Sequence, residues 1–247
     1  MEQQNYNYNS DSVFVQEGSV SKKFFANVFL WMFIALGLST LAAYFMSSSA
    51  EAMSYLVNFE TGKRTIFGYV AMFAPLGLVL LMGAGFSRLS YGALLTVFVL
   101  FSLLLGVSLS FILLIYTGAS VVTCFAAAAG IFGIMAFLGY TTEIDLSKFG
   151  PILLVGVAGL FIAGILNMFI QSEQFSLVMA FVGIAVFTAL TAYDVQKIKR
   201  IGLGLEENGD QMAATDTKKL AIMAALSLYL DFINIFIYLL RIFGSRK

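Results

Sequence analysis

Ser227, Asp231, Asn234, Tyr238, Arg241 and Ser245 follow one another at intervals of four, three, four, three and four residues, and Leu228, Leu230, Phe232, Ile233, Phe236, Ile237 and Leu239 lie between them. On an α-helix this spacing draws one polar stripe along an otherwise apolar rod, the a/d pattern of a helix seam with its polarity reversed. In a membrane such a stripe must face protein or water. A carboxylate at the centre of an isolated span costs about 2.5 to 3.5 kcal/mol on insertion scales, and each Leu, Ile or Phe returns about 0.3 to 0.6. The segment still inserts, but its acid must be neutral or paired, which makes Asp231 a candidate functional group. The plainer alternative is a protonated, hydrogen-bonded acid that serves packing alone. Asp194, in Thr191-Ala192-Tyr193-Asp194-Val195-Gln196-Lys197, divides evenly between a site residue and half of an ordinary surface pair with Lys197 three residues on. Two carboxyls within about 4 Å in a dry bundle cannot both ionise cheaply, so such a pair keeps one proton or binds a cation, a pH-sensitive gate made without histidine.

The chain of 247 residues contains no histidine, which excludes Ser-His and Cys-His catalytic pairs and imidazole metal sites and leaves carboxylates to supply any pH response. Cys124 stands alone in an apolar run, so no intrachain disulfide forms and the residue reads as packing. Fourteen basic and fourteen acidic residues cancel, and without a net positive field no nucleic-acid partner is expected.

The elements that must position these acids are membrane spans. The sequence is 60% hydrophobic and 11% charged, where a soluble domain carries roughly 25% charged residues. A hydrocarbon core about 30 Å thick needs roughly 20 apolar residues, and seven such runs occur, near 24–46, 65–87, 91–115, 119–140, 151–171, 175–193 and 220–240. Stretches apolar on every face, such as 152–170, exclude a β-barrel. Residues 1–23, rich in Asn, Gln, Ser and Tyr, read as a polar flexible tail, and 24–247 as the membrane domain. A cleaved signal sequence ending near Ala50-Glu51-Ala52 is disfavoured because the first run exceeds the roughly 7 to 15 residues of a signal's apolar region. Pro75 marks a kink and Pro151 a helix start. On alternate sides of seven spans fall nine Lys and Arg (Lys22, Lys23, Arg88, Lys148, Lys197, Lys199, Arg200, Lys218, Lys219) and five (Lys63, Arg64, Arg241, Arg246, Lys247), which places the N-terminus in the cytoplasm and the C-terminus outside. Small residues four apart, Ser102-Gly106-Ser110, Ala126-Gly130, Ala129-Gly133 and Gly159-Ala163, read as packing seams between helices.

Residues 188–197 (TALTAYDVQK) and 225–244 (ALSLYLDFINIFIYLLRIFG) closely resemble the signatures of the Bax inhibitor-1 family, with a weaker echo at 138–150 (LGYTTEIDLSKFG). The resemblance covers everything from residue 24 onward. It implies an all-α, polytopic seven-helix bundle with the last helix central, and a calcium leak across the membrane controlled by a paired-aspartate pH sensor. The sensor positions match Asp194 and Asp231. The family's arginine latch after the second helix falls on Arg88, the only basic residue between the second and third spans, whereas an acidic residue that some members carry on the second helix has no counterpart in 65–87. On this reading an Arg88–Asp194 pair closes the cytoplasmic end, and protonating Asp194 releases it. Calcium stops transiently at Asp194 and Asp231, with Tyr193, Ser227, Asn234 and Tyr238 as supporting polar groups.

The expected protein is therefore an integral protein of the cytoplasmic membrane that contacts lipids, calcium and protons. It takes no cofactor beyond calcium as permeant ion, and it is not an enzyme. Asp231 lies twelve residues after Lys219, roughly 18 Å along a helix, so the two acids share a depth only if the last helix begins early, capped by Thr215 and Asp216, or the sixth span ends beneath the 199–218 loop. Rival readings are a proton-coupled secondary transporter and a non-conducting regulator of other membrane proteins. An intramembrane aspartyl protease is less favoured, because Leu230-Asp231-Phe232 lacks the G-x-G-D element and Asn208-Gly209-Asp210 lies in a polar loop. The last span has no lysine to carry retinal.

Overall fold

The computed structural model describes residues 19–207 and 214–247. Among these residues the chain forms no strand, only helices α1 (Ser19–Ser48), α2 (Ala50–Ser54), α3 (Ile66–Gly85), α4 (Tyr91–Ile115), α5 (Gly118–Thr141), α6 (Gly150–Ile170), α7 (Glu173–Glu207) and α8 (Ala214–Phe243), with a 3-10 turn, Leu146–Phe149, leading into α6. Seven of them, all but the short α2, are long and apolar enough to cross a membrane. The all-α seven-span architecture expected from the sequence is the one the chain adopts. Residues 1–18 of the expected tail lie outside the described residues, and 19–23 already belong to α1.

Helix boundaries follow local chemistry. Thr65, Ser90 and Thr117 sit in extended conformation before α3, α4 and α5 and accept hydrogen bonds from the backbone N–H groups of Gly68, Ala93 and Ser120. Pro151 occupies the first turn of α6, where its missing N–H costs nothing. The last two helices depart from expectation. Charges at Asp194, Lys197, Lys199 and Arg200 end an uncharged run but not a helix, and α7 continues to Glu207, with Ile198 and Leu205 buried and Gly202 packed on Ser21 of α1. The α8 helix begins at Ala214, so Thr215 and Asp216 lie in its first turn. The expected 199–218 loop contracts to 208–213, which lie outside the described residues together with the Asn208-Gly209-Asp210 element. With 35 and 30 residues, α7 and α8 are about 52 and 45 Å long, well beyond a bilayer core of about 30 Å.

At the end of the bundle where α7 passes into α8, Lys218 lies over Tyr91 and Lys219 over Phe86, while Lys199 lies over Tyr140 and donates to its carbonyl. We call this the junction end. At the far end the C-terminal residues tie down the α4–α5 turn: Lys247 Nζ donates to Leu113 O, and Thr117 N donates to Ser245 O.

The α8 helix is the most enclosed of the spans. Of its most apolar stretch 61% is buried, against at most 33% for any other span, and it packs on α1, α4, α5 and α7. On the outside, Ile152, Leu154, Phe161 and Phe169 of α6 are all more than half exposed, as suits side chains solvated by lipid. Of the four small-residue rows only Ser102-Gly106-Ser110 is a seam within this chain: Ser102 and Ser110 are fully buried, and a Cβ on Gly106 would overlap the backbone of Ser39 in α1. Ala126, Ala129, Gly130, Gly133 and Gly159 are exposed, and the three glycines have nothing within contact distance. Spacing of four identifies a face but not what that face meets.

Gly106→Val should force α1 and α4 apart and cost about 1 to 3 kcal/mol, seen as a lower midpoint of thermal unfolding in detergent. Gly130→Val, facing open space, should leave that midpoint unchanged.

Candidate functional site

The α8 stripe places Asp231 in the middle of the helix, and the bundle closes round it until the residue is only 4% exposed. Its Oδ2 has no hydrogen-bond partner among the described residues. A buried carboxylate oxygen without a donor is expensive, because burial removes its water and nothing replaces it. Asp194 of α7 is the acidic group whose charge bears on it.

The relative depth of the two acids follows from the register of α7 against α8. Tyr238 lies on Gly183, and eleven residues away on each helix Ser227 and Asp194 line one cavity of about 190 Å³. Numbers rise along one helix as they fall along the other, so the pair is antiparallel. Ser227 is level with Asp194, and Asp231 lies one turn, roughly 6 Å, further toward the far end. The extension of α7 and the early start of α8 make this possible, since both helices carry their acids well inside ends that project past the bilayer core. The cavity is completed by Lys197, Ile198, Ile201, Leu220, Met223 and Ala224, so Asp194 stands at its wall and Asp231 beyond its floor.

The other expected site residues divide. Ser227 joins Asp194 in the cavity. Asn234 Nδ2 donates to Leu230 O at 2.8 Å, leaving the carbonyl oxygen of its side chain free to accept or coordinate. Tyr193 is turned to another partner: a Cβ on Gly150 of α6 would lie 2.8 Å from its hydroxyl, so the ring packs at the start of α6. Arg88 is exposed on the turn after α3 and makes no ion pair with Asp194; the ion pairs among the described residues are Arg200–Asp145, Lys219–Asp216 and Arg246–Glu173. The cation that attracts Asp194 here is Lys197, one turn along the same helix. Two carboxylates, one hydroxyl and one amide oxygen suit a hard cation, yet fall short of the six to eight oxygens calcium takes, so water would have to complete its shell.

The family model described as inhibitor of apoptosis-promoting Bax1 matches residues 21–247. The chain belongs to the Bax inhibitor-1 family. It is 39% identical over 238 residues to the inner membrane protein YbhL of Escherichia coli, covering 96% of this chain and 97% of that one. An uncharacterized protein of Rickettsia prowazekii is 39% identical over 228 residues, 92% of this chain and 91% of the relative. An uncharacterized membrane protein of Streptococcus pyogenes is 33% identical over 241 residues, 96% and 99%. Like its family, this chain is an integral membrane protein.

Two polar assemblies around the acids went unread in the sequence of this family member. Tyr229, fully buried two residues from both Ser227 and Asp231 and so on the opposite side of α8 from the stripe, pairs its hydroxyl with Ser39 Oγ at 2.6 Å, and Ser39 donates on to the Ser102 and Ala35 carbonyls. This joins α8, α1 and α4 at one point. At the junction end, buried Gln196 donates to Ile144 O at 2.7 Å and accepts from Leu146 N at 2.8 Å, while Arg200 reaches both Gln196 and Asp145. The linker from α5 to α6 is thereby clamped to α7 at Gln196 and Arg200, just beyond Asp194. The segment 138–150 did carry a signal, its echo of the family pattern, but no spacing rule could pair it with Gln196 about fifty residues on.

The Ser147 hydroxyl, the Arg200 guanidinium and the Ser147 N–H hold the exposed Asp145 carboxyl well below the usual carboxylate range. A depressed carboxyl contributes fully above its unfolded value, roughly 3.9, and the contribution fades only as pH falls below that. The clamp therefore stays charged near neutrality. Hydrogen exchange of the 142–149 amides, corrected for intrinsic rates, should show constant protection between about pH 6 and 8, well above that value, and clearly lower protection at every pH in Gln196→Leu.

Proposed function

We propose that this protein is a pH-sensitive calcium leak of the cytoplasmic membrane, in which Asp194 and Asp231 form the proton-sensing and transient calcium-holding pair. The observation that carries the reading is Asp231 itself: a carboxylate sealed inside a membrane-spanning bundle, with one oxygen unpartnered and a second acid as its charged neighbour. Ionisable groups at such depth are costly, and where they occur they mark ion or proton pathways. Few protein oxygens and mutual repulsion make a weak, quickly released stop for a divalent ion, as a leak requires and a storage site does not.

The junction end is read as cytoplasmic, since Lys22, Lys23, Arg88, Lys148, Lys197, Lys199, Arg200, Lys218 and Lys219 belong to that side against five basic residues on the other. The Escherichia coli relative is an inner membrane protein, which favours the cytoplasmic membrane as the location but does not bear on which end faces the cytoplasm. Asp194 at the wall of the cytoplasmic cavity meets protons first, and Asp231 one turn deeper holds the ion. Protonating Asp194 ends its attraction to Lys197 and lowers the negative charge facing Asp231, so acid on the cytoplasmic side should favour opening. The reading requires no contribution from Arg88, and no covalent chemistry.

The test is reconstitution in liposomes loaded with a calcium dye, comparing the parent with Asp194→Asn and Asp231→Asn across roughly pH 6 to 8, where an acid in a dry bundle can change charge. The parent should pass calcium faster at the acid end of that range, with several-fold less pH response in each variant. Movement of protons without calcium, or a calcium flux that both substitutions leave untouched, would refute the proposal.

A further inference from the structure

The polar stripe of α8 has a cavity at each end. At the junction end is the space lined by Asp194 and Ser227; at the far end a second cavity, about 280 Å³, is lined by Glu173, Gln174, Ser176, Leu177, Arg241 and Arg246. Asp231 and Asn234 lie between them, and so does Tyr238, two turns beyond Asp231 and one turn short of Arg241. Its ring rests directly on Gly183 of α7, so closely that a Cβ there would overlap the ring carbons, and it faces Phe187 with ring centroids 6.1 Å apart. Gly183 is buried, an absent side chain that acts as a socket. Tyr238 is half-buried, and its ring is seated by its contacts with Gly183 and Phe187.

We propose that Tyr238, seated on Gly183 and flanked by Phe187, is a plug that separates the acid-lined half of the stripe from the far-end cavity and must swing off its socket for a cation to pass. The inference rests on the leak reading for its purpose and on geometry for its existence. An aromatic constriction excludes water from a narrow path, and a hydrated ion cannot follow. Side-chain rotation about two bonds is enough to open it. The plug is separate from the acids: it carries no charge near neutrality and can be removed without touching Asp194 or Asp231. Tyr238 is thus a gating residue and not a ligand, in contrast to the supporting role its place on the stripe suggested.

The test reads access, not flux. In a Cys124→Ala background, a cysteine placed by Asn234→Cys is exposed to a charged, membrane-impermeant thiol reagent added to vesicles from the side on which Arg246→Cys reacts. With Tyr238 or Tyr238→Phe present, the thiol should react slowly; with Tyr238→Ala it should react at least roughly tenfold faster, because exposure limits the rate. Gly183→Ala, which fills the socket and pushes the ring aside, should accelerate labelling as well, and carries the test if Tyr238→Ala fails to fold. Equal labelling rates in parent and variants would overturn the plug. Calcium flux in parallel vesicles whose protein keeps Asn234, with and without Tyr238→Ala, keeps the two proposals apart. A pH-dependent leak with unchanged labelling refutes the plug alone, whereas faster labelling without any calcium movement refutes the leak and upholds the plug.

Discussion

A carboxylate in the middle of a hydrocarbon slab has to be enclosed by protein, and the arrangement of this bundle is what enclosing Asp231 demands. Lipid offers the acid neither water nor a donor, so the helix that carries it cannot stand at the periphery. The α8 helix is accordingly the most buried span, surrounded by α1, α4, α5 and α7. Close approach of the surrounding helices depends on small side chains: Gly106 admits the backbone of Ser39, and Gly139 of α5 admits that of Ala192 in α7. Next to this apolar enclosure the Tyr229–Ser39–Ser102 link satisfies its own polar atoms completely. Asp231 Oδ2, by contrast, has no hydrogen-bond partner among the described residues.

The junction end is where that enclosure is made accessible. Both α7 and α8 run past the bilayer core, so the wall of the cavity at Asp194 can be wetted while Asp231, one turn deeper, remains dry. The clamp of Gln196 and Arg200 on the 142–149 linker fixes the part of α7 just beyond Asp194. The aromatic seat of Lys219 on Phe86 fixes the start of α8 against the end of α3. Asp194 thus stands between two anchored segments, the linker clamp on α7 and the seated start of α8.

Much of this was legible from residue types and spacing, and the failures have physical causes. The run 91–115 coincides with α4 because a capping serine and a β-conformation Tyr116 close the helix where the apolar stretch ends. For α7 and α8 the count of uncharged residues measured the thickness of lipid and not the length of helix, so the end of α7 was set fourteen residues too early, at 193 instead of Glu207. The depth of Asp194 against Asp231 stayed open for the same reason. The stripe on α8 identified Asp231 without any knowledge of its neighbours, since a polar face on an apolar rod is a local property. The Ser39–Tyr229 and Gln196–Ile144 pairings are not local, and nothing in either segment names its partner. Rows of small residues on α5 and α6 were misread because their spacing is the same on an exposed face as on a seam. The place given to Arg88 rested on position between spans, and position does not bring its guanidinium to Asp194.

The most direct test of the account is whether the two acids act as one unit. Infrared difference spectroscopy can follow the carboxyl stretch of Asp231, assigned by its loss in Asp231→Asn, as the protein is titrated in lipid. Neutralising the neighbour with Asp194→Asn should displace the titration of Asp231, because the two charges share one dry compartment. If Asp231 titrates identically with and without the charge at Asp194, the pair is no pair, and the site does not work as described.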